Sequence, residues 1–383
     1  MSALARSAPP PSGPAATAKP PIRILIVDDS LVARTIISGI IARQNDMTLV
    51  AQAKDGREAI AMAERHAVDV VLLDLEMPEM SGADALPGIL KARPNAQVIM
   101  VSSASPHAAR AAVKAVSRGA IDFIPKPTSS AGGTGLDAFS SYLTTKIRDC
   151  RDSIGAGRML GAAVPPKAAP VAAPVERRLT RPVAGYEAAY GAVFIGASTG
   201  GPPALTRVVA DLAPTLQVPL FIVQHMPSAF MSTMAAMLAR ASGLPCSEAK
   251  HGERAEPGHI YLAPGDRHME VRKGAAGPLE VLLNDGAPEN FCRPAVDPLF
   301  RSAAKALGTR ALGVVLTGMG RDGLAGSEAI KAAGGLILAQ DEATSVVWGM
   351  PKVVAESGIA REVLPLDRIG PRVVNCLERR RRS

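Results

Sequence analysis

The feature that most constrains this fold is an alternation of short, almost uninterrupted apolar runs with segments of helical length. In the first part of the chain the runs are IRILIVDDS, TLVAQA, VDVVLLDLE, AQVIMVSS and IDFIPKP. Strands that are apolar on both faces are typical of a parallel sheet with helices on each side. The pattern therefore predicts a doubly wound α/β domain over residues 21–150.

The same alternation resumes near residue 190. The strand candidates there are GAVFIGAS, PLFIVQH, HIYLAPG, EVLLND, ALGVVLTGMG and GGLILAQD. After Ser198, apolar residues recur at helical spacing from Leu205 to Leu212, which predicts a strand, a tight turn and a helix. Residues 189–378 are therefore predicted to form a second doubly wound parallel-sheet domain.

The remaining segments lack such periodicity. Residues 151–188 are rich in Ala, Pro and Gly and predict a semi-extended linker between the domains. Residues 1–20 contain several prolines and no apolar core, so they predict a disordered tail rather than a signal peptide. Residues 379–383 form a short basic tail.

Composition and charge narrow the possible functions. The 383 residues are 47% hydrophobic and 20% charged, as in soluble globular proteins, and no apolar stretch is long enough to span a membrane. Of the net charge of +8, four charges come from residues 379–382 and three from 151–190, so the domains are close to neutral. This favours a solvated basic tail over a nucleic-acid surface. We predict a cytoplasmic protein with no nucleic-acid partner and no direct membrane insertion.

The cysteines of the chain are far apart and form no C-x-x-C pair. This spacing predicts buried or free thiols in a reducing cytoplasm rather than a disulfide framework or a zinc site. The four positions are Cys150, Cys246, Cys292 and Cys376.

Oxygen ligands are expected at the carboxyl edge of the first sheet. Asp28 and Asp29 close the first strand and Asp74 closes the third, and parallel strands end on one edge. Three carboxylates suit Mg²⁺, and a carboxylate beside that ion can accept a phosphoryl group. Ser102 and Lys126, which follow the fourth and fifth strands, are placed to bind the phosphoryl oxygens.

The motifs VDDS, LLDLEMPEMSG, VSS and IPKP occur in this order and resemble the response-regulator receiver domain. The resemblance implies a flavodoxin-like fold that needs Mg²⁺ for phosphorylation. It also implies the following roles: Asp74 as the phosphoryl acceptor, Asp28, Asp29 and Asp74 as metal ligands, Ser102 and Lys126 as phosphate sensors, and Phe123 as an aromatic that changes rotamer on activation.

The segment GASTG at 196–200 fits two kinds of site: a turn that presents a nucleophilic serine, and a loose glycine-rich phosphate loop. A dinucleotide fold requires an acidic residue at the end of the second strand, where this chain has Gln224 and His225. No Gly-Lys-Ser or Gly-Lys-Thr is present either. The pattern therefore favours Ser198 as a nucleophile.

A histidine and a carboxylate are placed to assist this serine. His225 lies 27 positions after Ser198, about one βαβ unit, so both can end neighbouring strands about 5 Å apart. Imidazole is the usual base near neutral pH, and it needs an orienting carboxylate. Asp322, after ALGVVLTGMG, is the first candidate, and on spacing alone three rivals remain: Glu289, Asp297 and Asp341.

Six motifs of the second domain together resemble the catalytic domain of the CheB family of chemotaxis methylesterases: FIGASTGGPPAL, VQHMP, YLAPGDRHM, RPAVDPLF, VVLTGMGRDG and QDEATSVVWGMP. A receiver ahead of this domain is the order of that family, although the linker here is longer than expected. The resemblance implies a Rossmann-like domain that needs no cofactor, with the following site: Ser198 as nucleophile, His225 as general base, Asp322 as its orienter and the backbone N–H of Met319 as an oxyanion-hole donor.

The resemblance also implies a function and partners. It implies a phosphorylation-activated hydrolase that releases methanol from glutamate γ-methyl esters, and deamidates glutamines, on methyl-accepting chemotaxis receptors. A histidine kinase of the CheA type would donate the phosphoryl group, and the reaction would serve adaptation in chemotaxis. Three alternatives remain: a receiver with a DNA-binding output, an adaptor without catalysis, and hydrolysis of a side-chain ester or amide of another protein.

Overall fold

The structure, a computed structural model, describes residues 20–103, 111, 115, 118–126, 132–150, 190–213, 215–274 and 277–378. The predicted linker 151–188, the basic tail 379–383 and all but the last residue of the predicted tail 1–20 lie outside the described residues. Within the described part, no helix is both long enough and apolar enough to cross a bilayer.

The first domain is built from alternating strands and helices around one sheet. Its elements are β1 (Ile22–Val27), α1 (Leu31–Ala42), β2 (Met47–Ala53), α2 (Gly56–Arg65), β3 (Val70–Asp74), α3 (Gly82–Ala92), β4 (Gln97–Ser102), β5 (Asp122–Pro125) and α4 (Gly132–Asp149). All strand pairs are parallel, in the order β2-β1-β3-β4-β5. This is the flavodoxin-like order, and it confirms the predicted fold class for this domain.

Local sequence explains where its helices begin. Ser30, Asp55 and Ser81 each precede a helix and accept a hydrogen bond from an amide of the first turn, at 3.3, 2.9 and 3.3 Å. Side-chain oxygens at this position satisfy amides that have no partner inside the helix. The polar loops that carry these caps lie on the edge of the sheet where the acidic residues end β1 and β3.

The second domain contains a larger sheet and an added hairpin. Its elements are β6 (Ala192–Ala197), α5 (Gly201–Leu212), β7 (Leu220–Gln224), a 3₁₀ turn (Ser228–Phe230), α6 (Met231–Ser242), β8 (Cys246–Glu248), β9 (Ile260–Leu262), β10 (His268–Lys273), β11 (Leu279–Asn284), α7 (Val296–Leu307), a 3₁₀ turn (Gly308–Arg310), β12 (Ala311–Val315), α8 (Leu324–Ala332), β13 (Leu336–Gln340), α9 (Met350–Glu356), β14 (Glu362–Leu364) and α10 (Leu366–Glu378).

The strand order of this sheet locates its binding edge. The seven strands are parallel, in the order β14-β13-β12-β6-β7-β9-β8. From β6 the chain crosses to β7 on one side, and from β12 it crosses to β13 on the opposite side. The two connections diverge, so a crevice opens at the carboxyl ends of β6 and β12. Ser198 follows β6 and Asp322 follows β12, which places both residues at that crevice.

One predicted strand lies outside the parallel sheet. EVLLND forms most of β11, which pairs antiparallel with β10 from Lys273↔Leu279 to His268↔Asn284. Its residues alternate between buried and half-buried, whereas β6, β7 and β12 are buried throughout. Alternation indicates a strand with only one covered face, which explains its place in a hairpin on the surface of the domain.

The two domains meet in a buried polar network around helix α4. Lys146 Nζ lies 2.8 Å from Asp122 Oδ2 and donates to Thr199 Oγ1 at 2.9 Å. Thr199 Oγ1 in turn donates to Asp149 Oδ2 at 2.8 Å. All four side chains are buried. Burial alone would lower the pKa of Lys146, but the charge and hydrogen bond of Asp122, together with Tyr142 and Asp149, outweigh burial and raise that pKa, so the ammonium stays charged inside the contact.

Apolar side chains surround this network. The Phe123 ring lies against the ring of Phe230, with centroids 4.3 Å apart and planes at 39°. Val346 and Val347, on the loop before α9, share a buried cluster with Leu143 of α4 and other residues of the first domain. The end of β5 and the helix α4 therefore cover loops of the second domain next to Ser198.

Candidate active site and phosphorylation site

Ser198 lies in the tight turn between β6 and α5. Its side chain is almost buried, its backbone N–H donates to Thr317 O at 3.0 Å, and its carbonyl accepts from Gln224 Nε2 at 2.9 Å. Gly201 permits this arrangement, because a Cβ there would lie 1.9 Å from Gln224 Oε1. The turn is thus held by residues at the ends of β12 and β7, the strands on either side of β6.

His225 and Asp322 form a close pair beside this turn. The backbone of His225 donates to Ala197 O at 3.1 Å, so the histidine directly neighbours the end of β6. Its Nε2 lies 2.7 Å from Asp322 Oδ2. Because an ionised carboxylate only accepts hydrogen bonds, Nε2 carries the proton in this pair. The chemically available lone pair of a neutral His225 is therefore at Nδ1.

Asp322 is fixed by backbone amides. Val296 N donates to Oδ2 at 2.6 Å, and Asp297 N and Gly323 N donate to Oδ1 at 3.0 and 2.9 Å. Burial raises the pKa of Asp322, but the hydrogen bond and charge of His225, with these amides, outweigh it and hold the pKa below its usual range. Asp322 is therefore an ionised, immobile acceptor.

The rival carboxylates contact other groups. Glu289 lies 2.5 Å from Arg301, Asp297 accepts from Gly326 N at 2.6 Å, and Asp341 accepts from the Thr344 hydroxyl at 2.6 Å. Among the described residues, the carboxylate that bonds His225 is Asp322. The geometry thus favours Asp322 as the orienter over the alternatives that spacing leaves open.

The other nitrogen of His225 faces a cysteine. Cys292 Sγ lies 3.4 Å from His225 Nδ1, and in the described part of the chain no hydrogen bond joins Ser198 Oγ to this imidazole. The structure therefore places Ser198 and His225 side by side without the contact that proton transfer requires. Burial lowers the pKa of His225, but the interactions with Cys292 and Asp322 together outweigh burial and raise the pKa to about 10.

The loop after β12 approaches the serine closely. A Cβ on Gly318 would lie 2.6 Å from Ser198 Cβ, so only glycine allows this contact. Met319, the next residue, is 42% exposed, and its backbone N–H donates to none of the residues that the structure describes. The two other methionines of these loops, Met226 and Met350, are buried, so Met319 alone of the three offers an exposed apolar side chain.

Three residues of this site escape sequence reasoning. Thr317 Oγ1 donates to Thr199 O at 2.9 Å, and Asn290 Nδ2 donates to both Asp297 and Asp322, at 3.0 and 3.2 Å. Cys292 is the third. Their only signal is position: Thr317 precedes GMG, Cys292 immediately precedes RPAVD, and Asn290 lies two residues before Cys292. No general rule gives a role to residue types in such loops, so only the fold reveals these contacts.

The acidic residues of the first domain converge as their positions predict. Ligand atoms of Asp28, Asp29 and Asp74 lie within 4.8 Å of one another. Lys126 Nζ lies 2.8 Å from Asp28 Oδ2 and 2.7 Å from Asp74 Oδ2. Three carboxylates at this spacing fit Mg²⁺, which takes oxygen ligands and tolerates few protein donors. The donor set therefore suits the expected ion.

Electrostatics distinguish Asp74 within this group. Burial raises the pKa of Asp74 to about 6, although Lys126 opposes this effect. Burial also acts against the charge of Lys126, but hydrogen bonds to Asp28 and Asp74 raise its pKa overall. Ser102 is fully buried at the end of β4, and its hydroxyl bonds no described residue. Phe123 is buried against Phe230 rather than exposed.

Comparison with known proteins identifies both domains. Residues 193–373 match the family model for the CheB methylesterase domain, and residues 24–132 match that for the response regulator receiver domain. The chain is 45% identical to a protein-glutamate methylesterase/protein-glutamine glutaminase of Rhodopseudomonas palustris, over 92% of this chain and 94% of that one. A relative of the same description from Caulobacter vibrioides is 44% identical over 92% and 98%. This chain belongs to the CheB methylesterase family.

Two solved structures correspond to separate parts of this CheB family member. The CheB methylesterase catalytic domain of Thermotoga maritima is 39% identical, with a TM-score of 0.47, and covers 49% of this chain and 98% of that one. The response regulator domain of the same organism's CheB is 41% identical, with a TM-score of 0.31, over 34% and 97%. Family membership confirms the expected enzyme class, a methylesterase that carries a two-component receiver.

Proposed function

We propose that this CheB family member is a phosphorylation-activated hydrolase that demethylates glutamate γ-methyl esters, and deamidates glutamines, on methyl-accepting chemotaxis receptors. The observation that carries the proposal is the His225–Asp322 pair, with side chains 10% and 2% exposed, beside Ser198 at the carboxyl ends of three adjacent strands. The names of the relatives supply the substrate class, since they describe glutamate methylesterases and glutaminases.

In the proposed reaction Ser198 attacks the ester carbonyl. His225 Nδ1 takes the hydroxyl proton as Oγ bonds to the carbonyl carbon, and the carbonyl becomes an oxyanion. Asp322 occupies Nε2 of His225, so the Ser198 hydroxyl must give its proton to Nδ1. Nδ1 therefore has to lose its contact with Cys292 and bond Ser198 Oγ before this step. The N–H of Met319 is the proposed oxyanion donor, and one such donor typically contributes about 3–4 kcal/mol.

Collapse of the oxyanion breaks the bond to the leaving group. His225 returns the proton, and methanol leaves from an ester or ammonia from an amide. Water, deprotonated by His225, then attacks the acyl-serine, which releases the glutamate carboxylate and regenerates Ser198. Asp322 stabilises the imidazolium in both halves of the reaction. No step requires a metal or cofactor in this domain.

The rim of the site suits a side chain presented on a protein surface. Phe291 immediately precedes Cys292, which contacts His225, and Met319 lies three positions before Asp322. Both side chains are exposed, at 103% and 42%. Exposed apolar side chains at the mouth of a site give it an adaptable surface for a protein substrate. We assign them to contact with the receptor helix that carries the methylated glutamate.

The receiver is the proposed input. Asp74 would accept a phosphoryl group from a histidine kinase of the CheA type, with Mg²⁺ held by Asp28, Asp29 and Asp74. When bound, the ion would neutralise charge on the transferring phosphoryl group. Lys126 and the Ser102 hydroxyl would hold the phosphoryl oxygens of the product. This chemistry would take place in the cytoplasm, where such kinases and receptor signalling domains are expected.

The contact between the domains offers a route for activation. Thr199, next to the proposed nucleophile, bonds both Lys146 and Asp149 of α4, and Phe123 lies against Phe230. A phosphoryl group adds about −1.5 to −2 charges near β5, and it acts at a distance by biasing an element with two arrangements. We propose that Phe123 and α4 are that element and that phosphorylation draws them off the catalytic loops.

Methanol release from methylated receptor membranes tests the function. Ser198→Ala should reduce the rate to background, while Asp74 phosphorylation from acetyl phosphate continues, because the two sites belong to different folds. Ser357→Ala is the matched control, since its hydroxyl bonds Val354 O near the end of α9. Full methanol release by the Ser198→Ala protein would refute the serine mechanism.

A further inference from the structure

We propose that Cys292 is a redox-sensitive modification site whose oxidation by peroxides inactivates the esterase. Its thiol occupies Nδ1 of His225, the nitrogen that Ser198 needs as a base. The inhibitory part of this inference rests on the serine mechanism proposed above. The reactivity of the thiol rests on the Cys292–His225–Asp322 cluster alone.

A strained turn holds the thiol on the histidine. Glu289 and Cys292 exchange two backbone hydrogen bonds, Glu289 N to Cys292 O at 3.1 Å and Cys292 N to Glu289 O at 2.9 Å. The residues between them, Asn290 and Phe291, have φ of 51° and 65°. A bulky side chain rarely adopts positive φ, and such strain persists only where surrounding contacts enforce it. The turn directs Phe291 into solvent and Cys292 towards His225.

The enforcing contacts join the turn to the catalytic pair. Asn290 Nδ2 bridges the carboxylates of Asp297 and Asp322, at 3.0 and 3.2 Å, and Glu289 is paired with Arg301 at 2.5 Å. Asp322 in turn bonds Nε2 of His225. The thiol and the imidazole are thus fixed to the same carboxylate, one through Asn290 and the other directly. The same framework thus positions the backbone of Cys292 and the imidazole of His225.

The cluster has the chemistry of an activated thiol. Proton transfer from Sγ to Nδ1 gives a thiolate beside an imidazolium, which Asp322 stabilises from the other side. The thiolate attacks one oxygen of a peroxide, an S–O bond forms, and the O–O bond breaks. Sulfur is oxidised to a sulfenic acid, and the peroxide is reduced and leaves as hydroxide or alkoxide, which takes the imidazolium proton.

Oxidation of Cys292 would block the proposed reaction because of where its sulfur lies. A sulfenic acid, or any larger group on Sγ, remains next to Nδ1 and excludes the Ser198 hydroxyl from its base. Excess dithiol reverses the change, since one thiol displaces the sulfenic hydroxyl as water and a second resolves the mixed disulfide. The expected behaviour is reversible inactivation that depends on one cysteine.

The other cysteines provide internal comparisons. Cys246 is half-buried like Cys292, but burial raises its pKa to about 12, so its thiolate is scarce at neutral pH. Cys150 and Cys376 are buried. Cys246 is therefore the matched control for accessibility without activation.

The test treats the full-length protein with hydrogen peroxide and divides it into two portions. One portion receives dimedone, which traps sulfenic acids irreversibly, and mass spectrometry of each cysteine peptide locates the adduct. The other portion receives no dimedone, and its Ser198 is labelled by a fluorophosphonate, which needs no receptor substrate. In the wild type and in Cys246→Ala we expect dimedone on Cys292 and at least about tenfold slower labelling of Ser198, restored by dithiothreitol. Cys292→Ala should keep most of its own untreated labelling rate.

A second comparison isolates the role of the histidine. His225→Gln should slow dimedone capture at Cys292 by about fivefold or more, because the thiolate loses its cation. His259→Gln, which alters a histidine bonded to Ser247 at 2.9 Å, should not. Equal capture at Cys292 in His225→Gln and the wild type would overturn the proposal, as would full labelling of Ser198 when Cys292 is oxidised. The proposed substrate can fail separately. If oxidation of Cys292 slows labelling of Ser198, and His225→Gln slows dimedone capture, but no methanol is released from receptors, then the substrate is wrong and the proposal for Cys292 is still supported.

Discussion

At the scale of single residues, the surroundings of His225, the proposed base, predict the pH range of the enzyme. Asp322 and Cys292 outweigh burial and raise its pKa to about 10, above the ordinary value of 6.5. A raised pKa in the folded state contributes stability below about pH 6.5, which is lost as pH rises through about 10. A base works only when unprotonated, so methanol release should rise with pH across the neutral range and beyond.

Removal of the thiol should shift that profile. Cys292→Ala deletes one of the groups that raise the pKa of His225, so the midpoint of the activity profile should move to lower pH. Rates of methanol release between about pH 7 and about pH 11 measure the effect, with Cys246→Ala as control. An unchanged midpoint in Cys292→Ala would show that the thiol does not influence this histidine.

Asp74 supports a separate prediction. Asp74→Asn should abolish Mg²⁺-dependent labelling by acetyl phosphate, because an amide cannot serve as the acceptor, and it should leave basal methanol release in place. Radiolabel incorporation and methanol release from the same preparation measure both effects. Label retained on the Asp74→Asn protein would mean that another residue accepts the phosphoryl group.

At the scale of elements, α4 contributes a buried ion pair to the contact between the receiver and the catalytic domain. Lys146→Ala would leave Asp122 and Asp149 buried without their cation, and loss of one partner of a buried ion pair typically costs about 3–5 kcal/mol. The contact between domains should therefore open. We expect methanol release by the unphosphorylated protein to increase several-fold.

The same helix supplies the control. Arg148 pairs with Asp46 at the surface of the receiver, at 2.9 Å, and does not enter the buried network. Arg148→Ala should leave the unphosphorylated rate unchanged. An equal increase in both variants would indicate general destabilisation of the receiver rather than release of the contact.

Some of these elements can be predicted from the sequence alone, and others cannot. The ends of β6 and β7 at Ala197 and Gln224 follow from apolar runs that stop at polar residues, so the placement of Ser198 and His225 on one edge is predictable. The turn at Asn290 and Phe291 is not, because positive φ in a phenylalanine reflects tertiary contacts. Strands as short as β8 and β14 carry too few residues for a periodic signal.

The sequence alone also does not determine which side chains bond one another in the folded protein. Spacing leaves four carboxylates as possible orienters of His225, and only packing of α7 against the β12 loop separates Asp322 from Asp297. A lysine such as Lys146, near other charged residues of a helix, normally belongs to a solvated face. Its burial between two domains has no counterpart in the local sequence.

At the scale of the whole molecule, the long linker and the buried contact between the domains have opposite effects on the proposed inhibition by the receiver. A tether keeps two domains at an effective concentration of order mM, which falls as the tether lengthens. The predicted linker 151–188 is long, so we expect the receiver to inhibit modestly rather than completely. A fragment of residues 186–383 should release methanol faster than the unphosphorylated full-length protein and should not respond to a phosphodonor.

Methanol release at equal molar concentrations of fragment and full-length protein measures this effect. The full-length protein treated with acetyl phosphate should approach the rate of the fragment. Equal rates without phosphodonor, together with no response of the full-length protein to it, would exclude inhibition by the receiver.

The bond between Lys146 and Thr199 also bears on how freely the two halves can be recombined. A receiver transplanted from another regulator supplies the phosphorylation chemistry but brings its own last helix. Without a cation and carboxylates at the positions of Lys146, Asp122 and Asp149, it cannot satisfy the buried hydroxyl of Thr199, beside the proposed nucleophile. We expect such a hybrid to accept a phosphoryl group from its own kinase without inhibiting the esterase. On this proposal, compatibility between the halves depends on a few buried polar atoms as well as on the shared fold.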